Sequence, residues 1–151
     1  MTASTGPRDV PSPAPAQTGE DRTLLAHLRL EALQCRAAAR LDLTDACLHL
    51  SATREVSGTE AVRALVRTLD QALGRAPRFF RPGSIDRSFD EAWLMALVHA
   101  VQRGDEASAT FLLRSRVAPS ALRSTIFLLS RVATSDARAA APEAPATRRA
   151  G

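Results

Sequence analysis

The stretch SFDEAWLMALVHAV, residues 88–101, decides the fold class. Its first four residues form a capping-box pattern, in which a Ser side chain and a Glu side chain each accept a hydrogen bond from the other residue's amide at a helix start. The rest of the stretch is apolar on nearly every side of a helix, with His99 as its interruption. A helix of this kind is typically buried at the centre of a domain. We therefore predict an all-α fold around this helix, with Trp93 and Leu97 packed inward.

Helical patterns continue on both sides of this stretch. SGTE, residues 57–60, is a second capping-box pattern, and an apolar stripe follows it up to Gly74, a residue type that suits a helix end. Downstream, residues 106–116 predict a short helix, and Pro119 suits the first position of another that runs to about residue 133. Together these patterns predict a single compact bundle of five to six short helices.

Composition marks the limits of this domain. Residues 1–20 and 134–151 are rich in Pro, Ala, Ser and Thr, and they contain almost no large apolar side chains. Segments of this composition do not bury enough apolar surface to offset the entropy lost on ordering. We therefore expect a helical domain over residues 21–133 between disordered N- and C-terminal tails. The alternative is that one of the tails is a tether or a docking segment.

The charge pattern limits the classes of partner. The basic residues are all Arg, the net charge is only +4, and Lys, Tyr and Asn are absent, which fits a GC-rich, bacterial coding bias. A dedicated nucleic-acid binder is expected to cluster its basic residues on one face. The chain contains no run of apolar residues long enough to span a membrane, and its N-terminus lacks the apolar core of a secretory signal. We therefore expect a cytoplasmic protein with no membrane partner.

Residues that could carry chemistry are few, and each has a structural explanation. Cys35 and Cys47 lack the close ligand spacing that is typical of zinc sites, and they lie among apolar neighbours. His99 has no carboxylate or nucleophile at partner spacing, and Asp90 and Glu91 suit the capping of a helix start. Phosphate-loop, GxSxG and HExxH motifs are absent from the sequence. The sequence therefore predicts a protein that is not an enzyme, with no metal site and no cofactor.

The most distinctive stretch outside the helices is GRAPRFFRPGSIDRS, residues 74–88. Its prolines and glycines oppose a continuous helix, and an ordered loop of this length is usually functional. In one interpretation, at least one Phe folds back under the loop as a plug while the arginines face water. In the other, the loop presents arginine and aromatic groups to a partner, as is common at interfaces. The candidate partner-binding residues are Arg75, Arg78, Phe79, Phe80, Arg81 and Arg87.

Two stretches near the C-terminus, FLLRSRVA (111–118) and FLLSRVA (127–133), nearly repeat each other. The separation in sequence between their first residues is shorter than the repeat length of the known paired-helix repeats. Each is expected near the end of a helix, where an Arg in the last turn interacts favourably with the exposed carbonyls. A helix–turn–helix interpretation of the pair is disfavoured, because the second helix carries bulky apolar groups where a recognition helix needs polar ones.

These observations favour a non-enzymatic, cytoplasmic regulatory or adaptor protein that acts by binding a protein partner, whose identity the sequence does not indicate. Assembly into a homo-oligomer remains open. The alternative is a small nucleic-acid-binding regulator that uses the Arg-rich loop or the helical pair. Since phosphate contacts weaken steeply with salt, the salt dependence of binding distinguishes the two hypotheses.

Overall fold

The computed structural model describes residues 19–36, 41–53 and 56–140. In these ranges the chain forms no strand and six α-helices: α1 (Gly19–Cys35), α2 (Leu43–Ala52), α3 (Gly58–Leu73), α4 (Phe89–Gln102), α5 (Glu106–Arg114) and α6 (Leu122–Ala140). A 3₁₀ turn, Pro119–Ala121, leads into α6. The predicted all-α class and the compact bundle of helices are confirmed.

The helix ends follow local sequence signals. Both predicted capping boxes are complete, since Ser57 accepts from the amide of Glu60 (3.2 Å) and Ser88 accepts from the amide of Glu91 (3.1 Å). Gly74 follows the last turn of α3 with a φ of 71°, in the left-handed region where a residue without a Cβ is favoured. The capping boxes therefore set the starts of α3 and α4 as the sequence predicts.

The core lies between α3, α4 and α6. Helices α1 and α6 pack on α3, α5 and α6 pack on α4, and α2 lies against α3 and α6. Trp93 and Leu97 are buried as predicted, and the Trp93 indole donates to the carbonyl of Leu112 in α5 (2.9 Å). Among the largest fully buried side chains are Leu28, Leu50, Leu65, Leu69, Leu94, Met95, Leu128 and Leu129. The core is thus built mainly from leucine rather than aromatic groups.

Helix α6 is longer than the sequence analysis predicts. It continues past residue 133 to Ala140, through the segment TSDARAA, in which the good helix formers Ala and Arg follow Thr, Ser and Asp. In this segment Asp136 accepts a hydrogen bond from Gln102 of α4 (Nε2–Oδ2 2.8 Å). The expectation that Arg131 lies in a last turn is therefore wrong, because this residue lies within the helix with its guanidinium 5.4 Å from the ring centre of Phe127. Residues 19 and 20 of the predicted N-terminal tail likewise belong to a helix, α1, while residues 1–18 and 141–151 lie outside the described residues.

Candidate partner-binding surface

The loop between α3 and α4, residues 75–87, follows an irregular path that is fixed by charged side chains. Asp90 in the first turn of α4 is buried, and it accepts from Arg75 (Nη2–Oδ1 2.8 Å, Nη1–Oδ2 3.0 Å) and from the amide of Arg78 (2.6 Å). The guanidinium of Arg116 also pairs with Asp90. These contacts, above all that with Arg75, hold the pKa of Asp90 well below its usual range although burial opposes the shift. One carboxylate therefore holds both the loop backbone and two guanidinium groups.

Glu91, the next residue, is fully buried and holds the loop at a second point. Its carboxylate accepts from Arg29 of α1 (Nε–Oε1 2.9 Å, Nη2–Oε2 3.0 Å) and from the amides of Phe80 (2.8 Å) and Ser88 (2.9 Å). Burial raises the pKa of Glu91, but the hydrogen bonds from Arg29 and the two amides outweigh it, and the pKa is lowered. Glu91 therefore remains a charged carboxylate inside the protein.

Arg29 completes this network from the side of α1. Besides Glu91, its guanidinium donates to the carbonyl oxygens of Ser84 (2.8 Å) and Asp86 (2.7 Å) in the loop. Because both acceptors are backbone atoms, Arg29 fixes the course of the chain. Arg29 was not among the predicted site residues, although its position carries a signal: it follows Leu25 by four residues and so shares its buried face of α1.

The two phenylalanines of the loop lie at the surface of the core. Phe79 is half-buried and packs against the hydrophobic core, as the plug interpretation predicts. Phe80 is also half-buried, and the guanidinium carbon of the exposed Arg78 lies 5.5 Å from the centre of its ring. Arg78 therefore extends along an aromatic face while its charged end stays accessible to solvent.

The other predicted partner-binding residues differ in how accessible they are. Arg75 is engaged with Asp90, Arg87 is half-buried, and Arg81 is exposed. The structure adds Ile85, whose side chain is 93% exposed and which the sequence analysis did not select. A large apolar residue in a loop otherwise rich in Arg, Pro and Gly is the signal that could have found it. Arg78, Arg81 and Ile85 are thus exposed, as are Asp86 and Arg75, of which Arg75 pairs with Asp90.

A second apolar surface lies on α4, which is not buried on all sides as the sequence suggested. Phe89 is 76% exposed, Ala92 and Ala96 follow it on the same exposed face, and Phe111 of α5 is 74% exposed. Between α4 and α5 lies a groove of about 590 Å³. Burial of α4 was overestimated because an apolar pattern does not show which of its sides another helix covers.

The remaining reactive side chains form no catalytic constellation in the described part of the chain. His99 lies 2.6 Å from Asp21 (Nε2–Oδ1), a carboxylate that sequence spacing did not show, and none of its hydrogen bonds goes to a nucleophile. The Cys47 thiol donates to the carbonyl of Ser124 (3.5 Å), and burial raises its pKa. A search of the described residues finds no group of three or more His, Cys, Asp or Glu side chains that could hold a metal ion.

The chain was compared with protein-family models, with curated proteins and with solved structures, and nothing matches in any of the three. In the described part of the chain, none of the helices combines the length and the apolar character that a membrane span requires. What the protein binds must therefore be inferred from its own surface, where loop 75–87 and the groove between α4 and α5 each combine apolar and basic groups.

Proposed function

We propose that the protein is a non-enzymatic, cytoplasmic regulatory or adaptor module that binds a protein partner through loop 75–87. The observation that carries this proposal is the network of Arg29, Asp90 and Glu91. Its side chains form hydrogen bonds with backbone groups of the irregular loop and so hold it in one conformation. Buried ion pairs seldom stabilise a fold more than well-packed apolar residues of similar volume do. A gain in fold stability therefore explains the presence of the network poorly, whereas the network directly fixes the conformation of the loop.

A loop that is ordered before binding loses less conformational entropy when a partner docks. Among its exposed side chains, Arg78, Arg81 and Ile85 combine guanidinium groups with an apolar anchor. Arginine is enriched at protein interfaces, and its planar fork binds carboxylates in bidentate fashion. The partner surface that fits this loop offers carboxylates around an apolar pocket for Ile85.

The test is affinity capture from the native host with the parent and with the variant Arg78→Gln/Arg81→Gln/Ile85→Ser. The matched control, Arg123→Gln/Arg138→Gln, removes exposed arginines from α6 instead. We expect one partner to be retained by the parent and the control and lost by the loop variant, while circular dichroism stays unchanged. Identical partner sets for all three proteins would contradict the proposal.

The same proteins separate protein binding from nucleic-acid binding. Mobility-shift assays at low and moderate salt are expected to show no binding that depends on the loop arginines. If the parent binds nucleic acids of all sequences, and the loop variant flattens the salt dependence, the loop contacts phosphates and the nucleic-acid alternative replaces the proposal.

A further inference from the structure

His99 and Asp21 join the end of α4 to the start of α1. His99 lies in the last turn of α4 and Asp21 in the first turn of α1, and their side chains meet at 2.6 Å (Nε2–Oδ1). The side chain of Asp21 is 17% exposed and that of His99 is 36% exposed, so water screens the contact only in part. We infer that this contact makes the docking of α1, and with it the order of loop 75–87, sensitive to pH between about 6 and 8.

The positions of the two residues favour a charged pair. The exposed carbonyls in the last turn of a helix attract a cation, and the exposed amides in the first turn attract an anion. His99 occupies the first kind of position and Asp21 the second. A protonated imidazole therefore stabilises the contact more than a neutral imidazole, which can still donate a hydrogen bond but carries no charge.

The charged groups near this end of α4 do not cancel that preference. Arg103, one turn after His99, opposes a charged imidazole, but its side chain is 61% exposed and lies 3.7 Å from Asp105. On the side of α6, Asp136 accepts a hydrogen bond from Gln102 and adds a second carboxylate. The α5 side chains that line the groove beside His99 are uncharged: Ala107, Ser108, Phe111 and Leu112.

The sign of the pH dependence follows from the two side-chain types. Imidazole ordinarily changes its charge between about pH 5 and 8, whereas a carboxylate ordinarily stays charged throughout this range. In the lower part of the range both groups are charged, and the ion pair holds α1 against α4. As the pH rises the imidazole loses its proton, and the stabilisation that the ion pair contributes to docking is lost.

The same helix holds the loop. Arg29 lies about two turns after Asp21 on α1, and it donates to Glu91 and to the loop carbonyls of Ser84 and Asp86. A weaker hold on α1 therefore raises the fraction of molecules in which Arg29 has left the loop. As a control of partner binding this inference rests on the proposed function, but the change in loop order does not.

The test is native-state proteolysis of the full-length protein with trypsin, which cleaves after Arg. Arg29 on α1 is buried, so cleavage after it requires α1 to open, and cleavage after Arg78 reports on the loop. Mass spectrometry assigns the sites, and a short Arg-containing peptide corrects for the activity of trypsin at each pH. From about pH 6 to about pH 8, we expect the corrected initial rates after Arg29 and Arg78 to rise together by about threefold.

Variants of the pair and of the other histidines separate this contact from general effects of pH. His99→Gln keeps a donor without a charge, and Asp21→Asn removes the carboxylate from the other side; each is expected to abolish the response to pH. His27→Gln and His49→Gln are the matched controls, since His27 faces Glu31 within α1 (3.9 Å) and His49 is exposed on α2. Both controls should respond like the parent.

A corrected rate after Arg29 that does not rise in the parent would overturn the inference. So would a rise that persists in both His99→Gln and Asp21→Asn. A rise after Arg29 without one after Arg78 would overturn the extension to the loop. The assay contains no partner, so these outcomes are independent of the affinity capture that tests the proposed function.

Discussion

Ser57–Glu60 and Ser88–Glu91 share one sequence pattern and one local geometry, but they differ in their surroundings. In each pair the Ser hydroxyl accepts a hydrogen bond from the Glu amide. The Ser amide in turn donates to the Glu carboxylate, over 3.2 Å in the first pair and 2.9 Å in the second. Glu60 is exposed to solvent, whereas Glu91 is fully buried. The first carboxylate completes a helix cap, and the second also binds Arg29 and the amide of Phe80.

The difference shows that a capping motif fixes where a helix begins but not what its carboxylate does. A cap uses only part of the hydrogen-bonding capacity of a carboxylate, since two oxygens can accept several donors. At the start of α3 water can take the remaining capacity. At the start of α4 it is taken by a loop amide and by a guanidinium that belongs to a residue 62 positions earlier in the chain.

The largest effect is expected for removal of the buried carboxylate. Glu91→Ala leaves Arg29 buried without its partner, and breaking a buried ion pair in this way typically costs about 3–5 kcal/mol of unfolding free energy. Glu60→Ala, the matched change at the exposed cap, is expected to cost less than about 1 kcal/mol. Urea unfolding followed by circular dichroism measures both, and equal losses would contradict the distinction between the two caps.

Neutralising both buried charges is expected to recover part of the loss. Arg29→Met alone leaves Glu91 charged and buried, so it should be strongly destabilising. Adding Glu91→Gln removes that charge and keeps an acceptor for the loop amides, and we expect it to restore about 1–3 kcal/mol. If the double variant is less stable than Arg29→Met in urea unfolding, charge burial is not the source of the loss.

The acid stability of the protein is expected to depend on Asp90. Because its pKa is lowered in the folded state, folding favours the charged form, and the resulting stabilisation is present above the unfolded pKa of about 4. It is lost as the pH falls from about 4 toward the lowered folded value. Asp90→Asn should therefore melt at a lower temperature at neutral pH and lose less on acidification. Glu60→Gln serves as the control, and an acid profile of Asp90→Asn that parallels the parent would contradict the expectation.

Smaller effects than at the buried carboxylates are expected at the two capping serines. Ser57→Ala removes one cap and should cost about 1 kcal/mol. Ser88 also donates its hydroxyl proton to the carbonyl of Arg78, so Ser88→Ala should cost about 1 kcal/mol more than Ser57→Ala. Thermal or urea unfolding of the two variants side by side provides the measurement, and a larger loss at Ser57 would reverse the order of the two caps.

Local signals in the sequence were sufficient to predict the helices and the residues at which they begin. The two capping boxes, Gly74 and the apolar stripes depend on residues within one or two turns of each other, so their effect can be derived without knowing the fold. Burial of Trp93 and Leu97 follows from the same periodicity. The extension of α6 to Ala140 was missed because a segment with no large apolar group was expected to stay outside the domain.

The charged network and the exposed apolar face depend on how helices pack, which spacing alone does not reveal. Arg29 was not selected from the sequence, and Glu91 was interpreted only as part of a helix cap, because an isolated charge is costly to bury and only the pairing of the two across the fold removes that cost. The two near-repeats, 111–118 and 127–133, also show that packing cannot be derived from the local sequence. Phe111 is 74% exposed on α5, whereas its counterpart Phe127 is half-buried within α6, so one sequence pattern has two different environments.

Arg29 also links the loop to the docking of α1. Its guanidinium binds loop carbonyls and Glu91 at the same time, so α1 cannot separate from the bundle without releasing the loop and exposing a buried charge. In the native state, α1 and the loop should therefore open together as one cooperative unit. The amide of Phe80, which donates to Glu91, should then exchange its hydrogen with solvent at the same opening free energy as the slowest amides of α1.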